Sequence, residues 1–533
     1  MLEFSGAIRE QFLDRVERET FDLAVVGGGI TGAAIARDAA LRGLSVVLLE
    51  KGDFASGTSS RSSKLVHGGL RYLEKFHLAL VFESVTERGL LRDLAAHRVQ
   101  PLEFLFPVYQ EHPKRTWEIG IGLTAYEWLS LYRNTDRHRM LSTSDMLAAQ
   151  PRLRPRGLQG GASYYDCVTD DALLTVECLY AARHAGALTL SYTEVDEFEV
   201  VGGRFRGLRF TDHLSGRRLS IRARCGVVAA GPWTDQVRAR LGKQDPILRL
   251  TRGSHLVLPR ERLPGDAAVV MLRPEERRVL FTIPWMDVVL VGTTDTDYAG
   301  SVEEVTASSQ DVDYILESLN GLFPDRAVRR EEVLSTYAGL RPLLHEERVS
   351  ASEVSREHLI AEEAEDLFVM AGGKLTTHRR MAQELVDRIA PRTACRTAST
   401  AYLPGGTQLL PYAELRSRFS EHFLNQLWER LPAAWPAVAG LIVRDPSLEE
   451  PLGLGGHLWA EVIYAIRYQM AVRLCDLIER RLWLTLRDPS GCREQLPALA
   501  ERMARELGWS RQRKAEEIEL AGRALDRGLA FRA

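Results

Sequence analysis

The chain has 533 residues, a formal net charge of −3, 45% hydrophobic and 26% charged residues. That length exceeds one ordinary core and predicts two or three domains. The balance is that of a soluble globular protein, and the near-neutral charge gives no ground for nucleic acid binding.

Residues 1–20 read as an amphipathic helix, with Phe4, Ile8, Phe12 and Val16 at four-residue steps. Such a stripe is expected to pack on its own protein, with a lipid contact as the second reading. Glu3, Arg9, Glu10 and Asp14 interrupt any signal-peptide core. No apolar run approaches the ~20 residues of a spanning helix, so a chain that stays inside the cell and crosses no membrane is expected. Six scattered cysteines form no CxxC pair. Reduced thiols are expected, and no metal site.

Phe21 to Val26 reads as a strand, Ile30 to Arg42 as a helix and Ser45 to Glu50 as a second strand, half of a βαβ unit. The turn between them, Gly27-Gly28-Gly29-Ile30-Thr31-Gly32, fits GxGxxG. Gly27 allows the tight turn, Gly29 lets a pyrophosphate approach the backbone, and Gly32 lets helix and strand close up. The helix start offers free N–H groups to phosphate, and Glu50 stands where an acidic side chain holds ribose hydroxyls. The pattern serves FAD or NAD. The polar run from Gly57 through Thr58, Ser59, Ser63 and Lys64 suits a ribityl chain and an extended pyrophosphate, which favours FAD.

Further strands are expected at Gly186 to Val195 and Arg222 to Ala230, and a strand-rich stretch between Thr251 and Asp295. A second glycine turn, Ala371 to Thr376, opens a helix at Arg379 to Ile389. From Pro411 onward the spacing is helical, with a domain boundary near 395–410.

Seven motifs follow the N-terminal fingerprint or include it: SSKLVHGGLRYLE (Ser62 to Glu74), AAGPW (Ala229 to Trp233), RGSH (Arg252 to His255), IPWMD (Ile283 to Asp287), GTTD (Gly292 to Asp295), GLRPL (Gly339 to Leu343) and GGKLTTHR (Gly372 to Arg379). In this order they resemble the aerobic, FAD-dependent glycerol-3-phosphate dehydrogenases from about residue 21 to about 487, and LPGG at Leu403 to Gly406 is similar to the opening of that family's helical domain. The resemblance implies an α/β fold: a Rossmann-like FAD-binding domain interleaved with an antiparallel-sheet substrate domain, plus an α-helical C-terminal domain. The expected boundaries are 20–100, 160–240 and 335–395 for the flavin domain, 101–159 and 241–334 for the substrate domain, and 400–533 for the helices. The implied reaction oxidises sn-glycerol 3-phosphate to dihydroxyacetone phosphate by hydride transfer from C2 to flavin N5. Electrons pass to a membrane quinone, from a peripheral position on the inner face of the cytoplasmic membrane, with a homodimer as an option.

The reaction needs an anion clamp, a proton acceptor and support for charge on the reduced ring. Gly372, Gly373, Lys374, Leu375 and Thr376 supply the last: a glycine turn at a helix start plus one full positive charge. Arg341 and Arg71 are clamp candidates because a guanidinium matches phosphate with paired hydrogen bonds, and Tyr72 adds a hydroxyl. His67 and His255 are both candidates for the proton acceptor. The resemblance also places Thr294 on the substrate and Leu65, Val195, Ala230, Gly231 and Trp233 on the cofactor. Some relatives have Asn followed by acidic residues where this chain has Pro274-Glu275-Glu276, so no substrate contact transfers to Pro274. Three rivals stay open: an oxidase on the same fold that reduces O₂ to peroxide, a non-catalytic flavin-binding protein, and an amine or amino-acid oxidase. For membrane contact, the segment His112 to Arg133 combines Ile119, Ile121, Leu123, Trp128, Leu129 and Leu131 with Lys114, Arg115 and Arg133. Trp117, Tyr126 and Tyr132 are expected at the same interface. Core packing is the competing reading of these aromatics.

Overall fold

Apolar side chains at every position from Leu23 to Val26 leave no face for water, which suits only an interior strand. The computed structural model describes residues 4–70, 77–130, 136–273, 278–345, 357–402, 404–405 and 412–532. In it Thr20–Val26 is the middle of a parallel array. Arg218–Val228 pairs on one side and Val46–Leu49 on the other, and Leu367–Gly372 and Leu188–Leu190 extend the parallel order outward. Helices Ile30–Leu41, Asp171–His184 and His378–Ile389 cover one face. The first is rich in buried alanines, so it lies close to the sheet and to both neighbouring helices. An antiparallel ribbon, Thr193–Val201 and Arg204–Asp212, runs into Arg218–Val228 and covers the other face. The helix Arg9–Arg18 joins it there, burying Phe12, Leu13 and Val16. Among the described residues, Phe4, Phe12 and Val16 of the N-terminal stripe thus pack on their own protein.

The second sheet is antiparallel except where Ala268–Arg273 meets Gln100–Tyr109. Its longest strand, Leu248–Pro259, pairs with Val288–Gly292 and with Ser335–Leu344. Three segments expected in the flavin domain belong here, the shortest being Leu65–Val66, which pairs with Leu158–Val168. Leu158–Val168 pairs with Gln100–Tyr109, and Ser335–Leu344 pairs with Leu248–Pro259 from Leu248 to Val257. Ser335 to Leu340 is buried throughout, so its side chains show no alternation that would have told one sheet from the other. The expected boundaries at 160 and 335 therefore move. None of the six cysteines is disulfide-bonded.

From Tyr412 onward the described elements are helical, and six longer helices, from Tyr412–Arg418 to Arg511–Leu529, build a core of their own. Leu403, Gly406 and Pro411 lie outside the described residues. These helices are tied to the flavin side by a buried charge network. Asp53 accepts from Arg480 Nε at 2.6 Å and from both Nη atoms of Arg481 at 2.9 Å. Tyr192 donates to Asp476 beside it. Burial opposes ionisation of Asp53, but Arg481 and Arg480 outweigh it and hold the carboxyl below its usual range. Its stabilising contribution is thus present above the ordinary carboxylate range and lost as pH falls through its own lowered value. Asp53→Ala removes the carboxylate shared by two buried guanidiniums and is expected to lose about 3–5 kcal/mol at neutral pH. Denaturant titration measures this, and the gap to the parent should narrow as pH falls through the carboxylate range.

Candidate active site

The first strand hands over to its helix through Gly27-Gly28-Gly29. Gly27 has φ +117°, open only to glycine, and a Cβ on Gly32 would stand 1.9 Å from the Gly27 carbonyl oxygen. The helix start is therefore drawn against the strand. Glu50 braces the turn: Oε2 accepts from the Gly28 N–H at 2.6 Å and Oε1 from the Gly52 N–H at 2.8 Å. Burial pushes its carboxyl up, and those two N–H groups work against the push. Ser59 Oγ accepts from the Ile30 N–H at 2.9 Å. The N–H groups of Gly29 and Thr31 have no acceptor among the described residues, and both residues line the adjoining cavity. Such donors at a helix N-terminus suit a pyrophosphate.

The cavity, of about 270 Å³, runs from this turn to a second one. Along it lie Thr58, Ser59, Ser63 and Leu65 from the polar run, and Ala230, Gly231 and Trp233 from AAGPW. Gly372, Gly373, Lys374, Leu375 and Thr376 close the far end, ahead of helix His378–Ile389. The N–H groups of Leu375 and Thr376 have no acceptor among the described residues. Lys374 Nζ stands 3.5 Å from Ser84 Oγ. Thr376 is bonded to His67 both ways: its Oγ1 accepts from the His67 N–H and donates to the His67 carbonyl, each at 3.2 Å. A glycine cradle and free N–H groups at one end, with N–H groups and a cation at the other, fit FAD. The first set would hold its pyrophosphate and the second the carbonyl edge of its ring.

The second sheet supplies the remaining wall. Arg341 lies opposite Thr251 in the strand pair, two residues from Gly253. A Cβ at Gly253 would stand 2.4 Å from Arg341 Nη2, so glycine there makes room for the guanidinium. Arg341 Nη1 donates to the Thr294 carbonyl and to Asp295 Oδ1, both at 3.1 Å, and Nη2 to Thr293 Oγ1 at 3.0 Å. These contacts fix the plane of the fork. His255, almost fully buried, stacks on Tyr337 with centroids 4.7 Å apart and planes 5° apart. Its Nε2 is 2.9 Å from Ser63 Oγ, and its buried Nδ1 has no hydrogen-bond partner among the described residues. Burial, then Arg341, then Lys64 push the imidazole well below its usual range, so it is neutral at physiological pH.

Three expected contacts fall elsewhere. Lys64 does not line the cavity. Its fully buried Nζ donates to Asp171 Oδ1 and the Ser60 carbonyl, each at 2.6 Å, and sits 3.7 Å from the Trp483 ring centre. Val195 is buried between the ribbon and the sheet, because the ribbon's inward positions must cover apolar surface. Thr294 stands behind Arg341, its Oγ1 accepting from the Ser254 N–H at 3.0 Å. Gly32 shapes the turn from outside the cavity. Arg71 and Tyr72 lie outside the described residues, as does Pro274. Arg61, Gly253 and Met370 also line the cavity without having been singled out. Gly253 carried a usable signal, since it stands inside RGSH where a strand gains nothing from glycine.

A dinucleotide turn, a polar ribityl-length groove and a cation-bearing glycine turn define a flavin-dependent oxidoreductase. Residues 22–388 match the family described as FAD dependent oxidoreductase, and residues 395–514 match the C-terminal domain of alpha-glycerophosphate oxidase. The aerobic glycerol-3-phosphate dehydrogenase of Bacillus subtilis (strain 168) is 34% identical over 539 residues, covering 97% of both chains. In structure, the glycerol-3-phosphate dehydrogenase from Bacillus halodurans, complexed with FAD, matches with a TM-score of 0.82 at 29% identity, over 99% of this chain and 98% of that one. The L-alpha-glycerophosphate oxidase from Mycoplasma pneumoniae, with FAD bound, matches with a TM-score of 0.56 at 18% identity over 71% of this chain and 97% of that one, a likeness of fold. The chain belongs to the FAD-dependent aerobic glycerol-3-phosphate dehydrogenase family.

The Gly32 contact is the sharpest test of the cofactor cradle. Gly32→Ala forces a methyl onto backbone, which has nowhere to yield, and is expected to cost about 1–3 kcal/mol. The purified variant should carry less than a tenth of the parent's flavin per chain, read from its visible absorbance.

Proposed function

We propose that the chain oxidises sn-glycerol 3-phosphate to dihydroxyacetone phosphate and passes the electrons to a membrane quinone. The observation that carries this reading is the meeting, in one cavity, of the flavin cradle with Arg341, His255, His67 and Lys374. Bound FAD supplies the two-electron acceptor for the hydride from C2. Arg341, its plane fixed by Thr293, Thr294 and Asp295, presents a guanidinium to an anionic substrate. The same charge, close to the C2 oxygen, lowers that oxygen's hold on its proton. His255 is a vacant proton acceptor because burial and its cationic neighbours keep it neutral, and Nε2 is the atom that takes part, since Nδ1 is sealed. Those cations also make a lasting imidazolium costly, so a proton taken at Nε2 must move on. His67, tied to the Thr376 turn, remains the alternative acceptor. Arg71 and Tyr72 keep their proposed part in holding the phosphate.

No described helix is long and apolar enough to cross a membrane, so contact with a quinone pool must be interfacial. Six of the ten large apolar side chains exposed among the described residues lie on two neighbouring helices and the strand beside them. Leu78 and Phe82 stand one turn apart on helix Leu78–Leu94, Met140 lies on Arg139–Leu141, and helix Thr116–Leu129 carries Trp117 (60% exposed), Ile121 (62%) and Trp128 (70%). Ile119, Leu123 and Tyr126 of that helix are buried, so they pack inside rather than face lipid. Leu131, Tyr132 and Arg133 lie outside the described residues. Exposed tryptophans beside Arg115 and Arg139 suit the headgroup boundary of a bilayer.

The yellow holoenzyme should bleach on anaerobic addition of sn-glycerol 3-phosphate. An oxidised spectrum that persists at millimolar substrate would overturn the reading. In Arg341→Ala, flavin content should be normal and kcat/KM should fall by ~10²-fold, the scale of a lost charged hydrogen bond. In air, reduction of a soluble quinone analogue should outpace peroxide formation, which separates the dehydrogenase from an oxidase.

Replacing Trp117 and Trp128 together with serine should weaken co-sedimentation with anionic liposomes and leave activity with a soluble dye intact. Unchanged sedimentation and quinone turnover would remove this face as the contact.

A further inference from the structure

Behind the catalytic cavity lies a second, smaller one of about 70 Å³, between the polar run, the strand Ser335–Leu344 and the helical region. Arg61 lines both cavities. The rest of the small cavity includes Glu479, Arg480, Thr485 and Arg527. Arg480 and Arg527 both turn to Glu479, with Arg480 Nη1 at 2.8 Å and Arg527 Nη2 at 3.5 Å. The guanidinium of Arg61 makes no hydrogen bond or ion pair with any described residue, and neither does the hydroxyl of Thr485.

The charge count around this cavity does not close. Arg61, Arg480, Arg481 and Arg527 face Asp53, Asp476 and Glu479, four guanidiniums against three carboxylates. Asp476 is pushed up to about 7 by burial and by Asp53, so the surplus grows near neutral pH. Burial pushes Arg61 below the usual arginine range; Glu479 opposes this, and Arg480 and Arg527 add to it. A half-buried guanidinium that opens onto a cavity without a carboxylate of its own favours an anion there. A guanidinium pair with a hydroxyl beside it is the donor set that tetrahedral oxyanions accept.

We propose that this second cavity binds one small oxyanion, a free phosphate or the phosphoryl group of a phosphomonoester, between Arg61, Arg527 and Thr485. The site does not rest on the substrate reading, because Arg527 and Thr485 line the small cavity and not the catalytic one. Occupancy would neutralise Arg61 and tie the loop that carries Thr58 and Ser63 to helix Arg511–Leu529.

Equilibrium dialysis of inorganic phosphate against the flavin-loaded Arg341→Ala variant tests this, since that background weakens phosphate binding in the catalytic cavity and substitutions at Arg527 and Thr485 then report on the small one. About one phosphate per chain should remain bound, and equal ionic strength of chloride should not displace it. Adding Arg527→Gln should weaken binding about tenfold, as loss of a charged contact implies. Adding Thr485→Val should weaken it several-fold, with flavin content unchanged in both. A parallel arm with glycerol 2-phosphate identifies the source: competition shows that the phosphoryl group of an ester is accepted, and its absence limits the site to the free ion. No phosphate bound in the Arg341→Ala background, or binding indifferent to both Arg527→Gln and Thr485→Val, would overturn the proposal.

Discussion

The site exists because one short stretch of chain, Thr58 to Lys64, is bonded on both sides. Thr58 Oγ1 donates to the Leu340 carbonyl at 2.6 Å, the Tyr337 hydroxyl donates to the Ser62 carbonyl at 3.0 Å, and Ser63 meets His255. All three reach the second sheet. In the other direction Ser59 caps the Ile30 N–H and Lys64 is locked to Asp171. Arg341 and His255 therefore stand at a fixed separation from the glycine turn. The Leu340 carbonyl that accepts from Thr58 moves only with its strand, and the Ser62 carbonyl ties the loop backbone itself to Tyr337.

Lys64 shows how that position is maintained. A fully buried ammonium tolerates its place because a carboxylate, a carbonyl and an indole face all meet it. With Lys64 held in this way, the backbone of the polar run cannot slide. The same logic holds Arg341, which spends three donors on its own sheet. A pre-oriented fork loses little entropy on meeting its ligand.

The glycine turn, the polar run and the second turn were legible in the sequence because each rests on a local rule: a tight turn needs glycine, and a helix start exposes N–H groups. Arg341 was legible through its motif, yet its partners Thr293 and Asp295 were not, since they reach it across a sheet whose pairing no local pattern states. Lys64 was misread for the reason that makes it interesting. A lysine within a run of hydroxyls reads as one more cofactor contact, and only the fold shows Asp171 waiting beneath it. Val195 failed similarly, because a strand position says nothing about which face of the ribbon must cover Phe12 and Val16. The domain limits slipped at Ser335–Leu344, a strand buried on both sides. Along helix Thr116–Leu129 the aromatics divided, with Tyr126 inside and Trp117 and Trp128 outside, a split that composition cannot make.

The strand that carries Arg341 is backed by residues far along the chain. Ser335 donates to the Leu486 carbonyl at 2.9 Å, Thr336 donates to the Gly528 carbonyl at 3.2 Å, and Arg532 reaches the Val333 carbonyl at 2.7 Å. During synthesis, then, the glycine turn and its helix can form early, but the wall bearing the guanidinium lacks its support until residue 532 has left the ribosome. Until that moment the nascent chain holds a half-built groove with an apolar strand exposed at its rear. Flavin uptake should accordingly be a late event in the life of the polypeptide, and premature release should yield a colourless, aggregation-prone product rather than a weakly active enzyme.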